Sequence, residues 1–297
     1  MFATIPAWLP LILASAFGLG FYDLFKKHAV RDNQIMPVLF FATLSGTVFF
    51  VAGAVVTDGL APMLDCCPHY LLLIFIKSLI VAASWNCVYY AMRELPITIV
   101  TPIRATAPLW TFVGSLFLFH EIPTLWQGIA MLVIFAGYYL FSVIGKYEGI
   151  NFRHHRGARM VVLGTLLGSV SALYDKFLLG TVGIPRVLMQ FHFTLDLVLI
   201  LGVAWLIRAC VRKSTYRFHW RWSIPATGVL LIVADWLYFY ALSMPDTQIS
   251  ILSLLRRCSC IVTFAIGGVF FHDKNVKIKA AALTAILFGV LLLALAR

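Results

Sequence analysis

Residues 35–57 read IMPVLFFATLSGTVFFVAGAVVT and contain no charged side chain. The hydrocarbon core of a bilayer is about 30 Å thick, and an α-helix needs about 20 predominantly apolar residues to cross it. Lipid offers no hydrogen-bond partners, so a crossing segment has to satisfy its own backbone, as a helix does. This stretch therefore predicts a transmembrane helix.

The composition extends that prediction to the whole chain of 297 residues. Hydrophobic residues make up 62% and charged residues 12%, with a mean hydropathy of +0.94, whereas a soluble domain has about 25% charged residues. One soluble core could not bury this much apolar surface, so the lipid bilayer is an expected partner. The net charge of +11 comes mainly from basic residues in short loops and does not indicate a nucleic acid.

Nine further stretches resemble residues 35–57 in length and composition, so we expect an all-α membrane protein with ten transmembrane helices. The predicted spans are 7–27, 35–57, 70–93, 97–119, 123–145, 158–181, 186–209, 223–243, 247–271 and 276–296. The connections are short and leave no segment for a soluble domain. The six cysteines lack the spacing of a metal site or a disulfide framework, and we expect no metal and no cofactor.

Lys and Arg are distributed unequally between the two sides of this helical array. Sixteen lie in or beside the loops that follow odd-numbered spans, and only Arg186 and Arg297 lie on the opposite side. Cytoplasmic loops of polytopic proteins carry the excess of Lys and Arg. The count places the odd-numbered loops in the cytoplasm and both termini outside. Short loops and the lack of an organellar presequence favour the inner (plasma) membrane of a bacterium.

The two halves of the chain resemble each other at an offset of about 152 residues. The matches, in order, are Tyr22-Asp23 with Tyr174-Asp175, Tyr90-Ala91 with Tyr240-Ala241, Arg104 with Arg256, and Phe119-His120-Glu121 with Phe271-His272-Asp273. We expect two five-helix repeats, residues 1–146 and residues 157–297. Because five is odd, the second repeat enters the membrane from the opposite side. Inverted repeats underlie many secondary transporters, whose substrate site lies near the bilayer midplane.

Several of these residues carry a family resemblance that covers essentially the whole chain. Tyr90-Ala91, Pro108, Glu121 and Gly128 follow one another as in the EamA-like branch of the drug/metabolite transporter superfamily, and the first span ends in Lys as its counterpart there does. The resemblance implies ten spans in two halves and the transport of a solute. It does not imply one substrate, because the superfamily exports amino acids, carries nucleotide-sugars and exchanges phosphorylated metabolites.

The chain departs from this family in two respects. Cys260 stands where the first half has Pro108, so the ninth helix need not kink as the fourth does. Relatives usually keep both termini in the cytoplasm, whereas the charge count predicts the reverse orientation, and we follow the count.

Arg104 and Arg256 lie roughly 10–14 Å inside their predicted helices, at 1.5 Å per residue. A charge at such a depth costs about 2.5–3.5 kcal/mol on insertion scales and marks a candidate functional residue. The two arginines, with the adjacent Arg257, predict a pocket for a carboxylate or phosphate. Arg256-Arg257 also resembles the phosphate-binding Lys-Arg pair of the plastid sugar-phosphate translocators. The alternative is that each arginine pairs with a membrane acid as a structural contact; the candidate acids are Asp23, Asp175, Asp196 and Asp235.

Three acids are candidates for carrying a coupled proton, namely Asp235, Asp196 and Asp175, since a carboxylate inside the membrane is costly unless it is protonated or paired. The alternative is a salt bridge to Arg256 or Lys176. Asp175 and Lys176 are adjacent and do not face each other on a helix. At least one of the two therefore has to face another helix. Asp23 is expected to pair locally with Lys26.

Aromatic and amide side chains of the third and eighth spans could complete a pocket. The candidates for contact with a substrate are Trp85, Asn86, Tyr90, Trp236 and Tyr240. Aromatic residues at helical spacing also occur as packing contacts or as an interfacial belt, which is the alternative for all but Asn86. A buried amide such as Asn86 needs a hydrogen-bond partner.

Taken together, these features predict a secondary active transporter of a small anionic or zwitterionic metabolite, working by alternating access as a monomer or homodimer. An amino-acid or drug exporter with structural arginines is the alternative within transport. A membrane-embedded enzyme that modifies lipids is the alternative from another class. No pairing of a nucleophile with a base and no metal-ligand set supports it, so we expect no enzymatic activity.

Overall fold

The computed structural model describes residues 8–57, 59, 61–64, 67–107, 109–111, 113–114, 124–147, 154–211, 217–242, 244, 252, 255–256, 258–271 and 275–295. Every regular element in these ranges is helical. In chain order the elements are α1 (Trp8–Val30), α2 (Ile35–Thr57), the single turn α3 (Ala61–Leu64), α4 (Pro68–Glu94), α5 (Ile97–Ala105), α6 (Leu125–Tyr147), α7 (Arg156–Lys176), α8 (Arg186–Val211), α9 (Ser223–Leu242), α10 (Ser259–Phe270) and α11 (Val276–Leu295). A π-helical turn, Phe177–Thr181, extends α7.

Six helices in the described part of the chain are long and apolar enough to cross a membrane: α1, α2, α4, α7 with its π-helical turn, α8 and α9. Their ends agree with the predicted spans to within three residues. The all-helical, multi-pass character predicted from the sequence is therefore confirmed. Helices α6 and α11 overlap the predicted spans 123–145 and 276–296, whereas α5 and α10 cover only parts of the predicted spans 97–119 and 247–271.

The helix α5 is short because proline and a threonine turn interrupt it. Pro102 lies inside the helix, where it cannot donate the usual backbone hydrogen bond. The helix ends at Ala105, and the Thr106 hydroxyl donates to the carbonyl of Ile103 at 2.6 Å. The interruption brings α5 to an end one residue after Arg104. Pro108, the other proline of this predicted span, lies outside the described residues.

The helices of the two halves interleave in the bundle. The main packing pairs are α1 with α9, α4 with α7, α2 with α8 and α9, α4 with α8, α1 with α10, α5 with α7 and α10, and α6 with α11. In chain order, the helices of the first half (α1, α2, α4, α5 and α6) correspond to those of the second half (α7, α8, α9, α10 and α11). When each helix is replaced by its counterpart, every packing pair becomes itself or another of these packing pairs. The α1–α9 contact, for example, becomes the α7–α4 contact.

Small residues allow close helix crossings at several of these contacts, as expected in a membrane bundle. At the α2–α9 crossing, a Cβ atom on Gly228 would lie 1.9 Å from the carbonyl oxygen of Ala42. Serine hydroxyls connect two of the packing pairs. Ser15 on α1 donates to the Ala234 carbonyl of α9 at 2.6 Å, and Ser84 on α4 donates to the Gly164 carbonyl of α7 at 2.7 Å.

One end of the bundle is strongly basic, and we call it the basic end. It comprises the C-terminal ends of α1, α4 and α8 and the N-terminal ends of α7 and α9. Lys27 donates to the carbonyls of Met92 and Leu95 at 2.5 and 2.6 Å, which connects α1 to the end of α4. Asn33, which is completely buried, connects the end of α1 to the segment before α9 through hydrogen bonds with the backbone of His219 at 2.7 and 2.9 Å.

Candidate functional site: a charged central cavity

A cavity of about 240 Å³ lies inside the bundle, between helices of both halves. Helices α1, α4 and α5 contribute lining residues from the first half, and α7, α9 and α10 contribute them from the second. Seven ionisable side chains that could bind a charged solute line it: Asp23, Lys26, Lys77, Arg104, Asp175, Asp235 and Arg256. Such a concentration of charge inside a membrane bundle is costly and marks a candidate functional site.

Three of these side chains form a cluster near the basic end. The Asp23 carboxylate accepts hydrogen bonds from Lys26 Nζ at 2.5 Å and from Arg104 Nη1 at 2.7 and 2.8 Å. Lys26 is only 1% exposed and lies over the ring of Tyr22, with its Nζ 4.2 Å from the ring centroid. The expected local pairing of Asp23 with Lys26 is confirmed. We call these three charged residues the basic-end cluster.

The other four side chains form the opposite cluster. Lys77 on α4 forms a salt bridge with Asp175 on α7, and Arg256 forms one with Asp235 on α9. Aromatic rings support both cations: Lys77 Nζ lies 4.6 Å from the ring centroid of Phe193, and the Arg256 guanidinium carbon lies 4.2 Å from that of Tyr238. Cation–π contacts of this kind stabilise cations that have lost their water.

The two clusters lie at mirrored depths in the bundle. Asp23 and Arg104 are each seven residues from the basic-end terminus of their helix, which corresponds to roughly 10 Å. Asp175, the counterpart of Asp23, is six residues from the other end, at Thr181, or roughly 9 Å. The cavity therefore has a charged cluster toward each of its two ends.

The cavity carries an excess of positive charge and two buried polar atoms without partners. Its four cations face three carboxylates, which leaves one positive formal charge. Among the described residues, Thr101 Oγ1 and Arg256 Nε are buried and have no hydrogen-bond partner. Both residues line the cavity. Buried polar groups are normally hydrogen-bonded, so a polar ligand or water is needed to complete these two.

Comparisons with known proteins agree with this architecture. Residues 6–143 match the family model of the EamA-like transporter family. The matched stretch is somewhat less than half of the chain. That family is part of the drug/metabolite transporter superfamily, so the resemblance predicted from the sequence is confirmed.

A solved structure shows the same fold over nearly the whole chain. A crystal structure titled only "Crystal structure of protein" matches with a TM-score of 0.64 and 16% sequence identity, covering 98% of this chain and 96% of the other. At this identity the likeness concerns the fold alone. No curated protein matches the chain.

Five of the residues predicted for the site line the cavity: Arg104, Arg256, Trp85, Asp175 and Asp235. Both arginines pair with membrane acids, as the structural alternative predicted. Asp175 pairs with Lys77 of another helix. Arg257 lies outside the described residues.

Five other candidates lie elsewhere in the described structure. Asn86 donates to the Met36 sulfur at 3.5 Å, and Asp196 accepts a hydrogen bond from the Ser78 hydroxyl at 3.3 Å. Trp236 and Tyr240 are 53% and 41% exposed, and their rings stack on each other on the outside of α9. Tyr90 packs against arginines at the basic end.

The structure adds cavity residues that we did not propose from the sequence. Lys77 is the most informative, because a lysine in the middle of the predicted span 70–93 should have been treated like Arg104. Tyr89 and Tyr238 line the cavity instead of their neighbours Tyr90 and Tyr240. No sequence signal separates these tyrosines, since the surrounding helices are apolar on all sides. Within the described residues, no group of three His, Cys, Asp or Glu side chains could hold a metal ion.

Proposed function

We propose that the chain is a secondary active transporter that carries a small anionic or zwitterionic metabolite by alternating access. The observation that carries the proposal is the central cavity, in which Arg104 and Arg256, matched between the halves, contribute to a net positive charge. Its volume of about 240 Å³ suits a small metabolite, since drug-sized ligands occupy about 300–1,000 Å³.

The charge of the cavity argues for the sign of the substrate. A cationic substrate would add to the excess positive charge in a region that water does not screen, whereas a carboxylate or phosphate would balance it. The unpartnered Arg256 Nε and Thr101 hydroxyl supply hydrogen bonds that such an anion can accept. Arg257 and Trp85 remain candidates for further substrate contacts.

The salt bridges suggest how substrate and proton could be coupled. Asp235 holds Arg256 through Nη2 in this state, so an anionic substrate that binds both Nε and Nη2 competes with that carboxylate for the guanidinium. A proton taken up by Asp235 weakens the existing pair and leaves the arginine available. Asp175 and Asp196 are the other candidates for carrying the proton. Coupling of this type makes substrate and proton move together.

The packing of the helices supports alternating access through two inverted repeats, residues 1–146 and 157–297. The main helix packing pairs map onto one another when the two halves are exchanged, which supports the proposal that each half can adopt the other's conformation. The two charged clusters lie near opposite ends of the cavity, where separation of one cluster and closure of the other would expose the substrate to one side at a time. We propose ten transmembrane helices for this arrangement.

The first test replaces the arginines singly, as Arg104→Gln and Arg256→Gln, and measures uptake into proteoliposomes. A charge-assisted hydrogen bond contributes about 1.5–3 kcal/mol, so we expect substrate affinity to fall roughly tenfold to a hundredfold. Arg104→Lys, which keeps the charge, should retain more activity than Arg104→Gln. Arg186→Gln, outside the cavity, serves as the control and should transport normally.

A second candidate function is the export of an amino acid or drug, with the arginines as structural residues. The salt bridges of Arg104 to Asp23 and of Arg256 to Asp235 favour it. If uptake of every tested anion survives the glutamine substitutions while the protein unfolds more easily, this second function replaces the first.

A thermal-shift screen of the purified protein separates the two candidates by ligand class. A ligand that binds only the folded protein raises its stability by mass action. We expect carboxylates or phosphates to stabilise the wild type and to lose this effect in Arg256→Gln. Stabilisation by amines alone would refute the proposal of an anionic substrate.

We also propose that the basic end faces the cytoplasm and that the protein resides in the bacterial inner membrane. The described basic residues of the odd-numbered loops gather at that end, which the positive-inside rule assigns to the cytoplasm. This orientation places the C-terminus outside. A C-terminal reporter that is active only in the cytoplasm should therefore give no signal, and a strong signal would reverse the orientation.

A further inference from the structure

Three arginines from three different helices converge on one tyrosine at the basic end. The guanidinium carbons of Arg93 on α4, Arg156 on α7 and Arg208 on α8 lie 5.3, 5.9 and 5.2 Å from the ring centroid of Tyr90. Tyr90 is buried, with 6% exposure, while Arg156 and Arg208 are exposed. We call these four residues the Tyr90 cluster.

Arg156 and Arg208 bring two exposed like charges to the same tyrosine ring. None of the salt bridges between described residues involves either arginine. The Glu94 carboxylate lies near the backbone of Gly157, the residue after Arg156. Such a pair of like charges is favoured when an anion binds between them.

The surroundings of the cluster are those of a lipid-facing site. Leu206 and Ile207, which directly precede Arg208 on α8, are 63% and 59% exposed, and Leu163, two turns deeper than Arg156 on α7, is 47% exposed. Apolar side chains just inside a basic rim match a phospholipid, with acyl chains beside the helices and the phosphate at the helix ends. Basic residues between helices on the cytoplasmic side bind anionic head groups in other membrane proteins.

We propose that the Tyr90 cluster binds the head group of an anionic phospholipid. The guanidinium groups of Arg156 and Arg208 contact the phosphate, and Tyr90 holds the three arginines in place through its ring. The bound lipid connects α4, α7 and α8, of which α4 and α7 line the central cavity. This site is separate from the cavity and does not depend on which solute the protein transports.

The test measures lipid binding to the full-length protein in detergent by native mass spectrometry, with phosphatidylglycerol and phosphatidylcholine as probes. The double variant Arg156→Gln/Arg208→Gln should bind phosphatidylglycerol roughly thirtyfold more weakly, because each basic residue near a lipid surface contributes about a factor of five. Binding of phosphatidylcholine should not change. Arg31→Gln/Arg217→Gln, which removes two exposed charges from the same end outside the cluster, is the matched control and should bind like the wild type.

Two further arms make the outcome decisive. Arg156→Lys/Arg208→Lys should retain most of the phosphatidylglycerol binding, which separates loss of charge from a folding defect; circular dichroism and monodispersity in detergent are checked for every variant. Inorganic phosphate and glycerol phosphate at equal concentration should not displace the lipid. Displacement by either would show a site for a soluble phosphate compound and overturn the proposal, as would equal binding of the two lipids or equal loss in the control variant.

Discussion

The salt bridge between Lys77 and Asp175 allows a quantitative test of how buried charges stabilise the bundle. Lys77 is 2% exposed, and the Asp175 side chain is 19% exposed. In Asp175→Leu the ammonium group of Lys77 stays buried without its carboxylate. In Lys77→Met the carboxylate of Asp175 stays, but it is more exposed than the Lys77 side chain, and the nearby Asp235 and Arg256 act on it with opposite signs.

These differences set the expected magnitudes. Removing one partner of a buried ion pair costs about 3–5 kcal/mol, and a charge in the middle of a transmembrane helix costs about 2.5–3.5 kcal/mol on insertion scales. We therefore expect Asp175→Leu to lose about 3 kcal/mol of unfolding free energy and Lys77→Met about 2 kcal/mol. The double variant leaves no lone charge and should also lose about 2 kcal/mol, so that the coupling free energy is about 3 kcal/mol.

The assay is urea unfolding in a mild detergent, followed by tryptophan fluorescence, for the wild type, both single variants and the double variant. The exposed pair Arg31–Asp32, whose side chains are 64% and 78% exposed, is the control. A cycle with Arg31→Met and Asp32→Asn should give less than about 1 kcal/mol of coupling. Additive effects of Lys77→Met and Asp175→Leu would refute the claim that the two charges compensate each other inside the bundle.

Three more predictions concern the packing of the helices, each measured by the same unfolding assay. Gly228→Ala places its methyl group 1.9 Å from the Ala42 carbonyl oxygen and should lower the free energy of unfolding by about 2 kcal/mol. Gly53→Ala, with open space around it, is the control and should raise the free energy of unfolding by about 0.5–1 kcal/mol. Destabilisation of equal size in both variants would contradict the close crossing of α2 and α9. Lys27→Met removes a charged donor from the carbonyls at the end of α4 and should cost about 1.5–3 kcal/mol, and an unchanged stability would show that water replaces it. Asn33→Ala removes a fully buried amide that makes two hydrogen bonds with the His219 backbone and should cost about 1–3 kcal/mol, and faster proteolysis between α8 and α9 should accompany this loss.

Hydropathy located the long helices well because the bilayer imposes their length. Residues 35–57 were predicted as a span and form α2 with the same limits, Ile35–Thr57. The prediction for the first span stopped at residue 27, beside two lysines, whereas α1 continues to Val30. The reason is that Lys26 is buried against Asp23, so that its charge does not mark the membrane surface.

The rotation of each helix about its axis was not predictable in the same way. Trp236 and Tyr238 are two residues apart and so point roughly 200° apart around α9. We proposed Trp236 for the site, but Tyr238 lines the cavity and Trp236 lies on the exposed side. On α4 we likewise proposed Tyr90 for the site, but the adjacent Tyr89 lines the cavity. A helix that is apolar on every side carries no pattern that says which face is turned inward.

The sequence by itself determined that this chain is a helical membrane protein that resembles the EamA-like family and has arginines and aspartates inside the bundle, because each of these properties depends on local composition and on short motifs. Only the tertiary structure decided which charges pair, since Lys77 and Asp175 are 98 positions apart. Their contact depends on how α4 packs along α7, and that packing is set by side-chain shape at the close crossing of Ser84 and Gly164. The tertiary structure also decided that Tyr90 lies among three arginines at the basic end and outside the cavity.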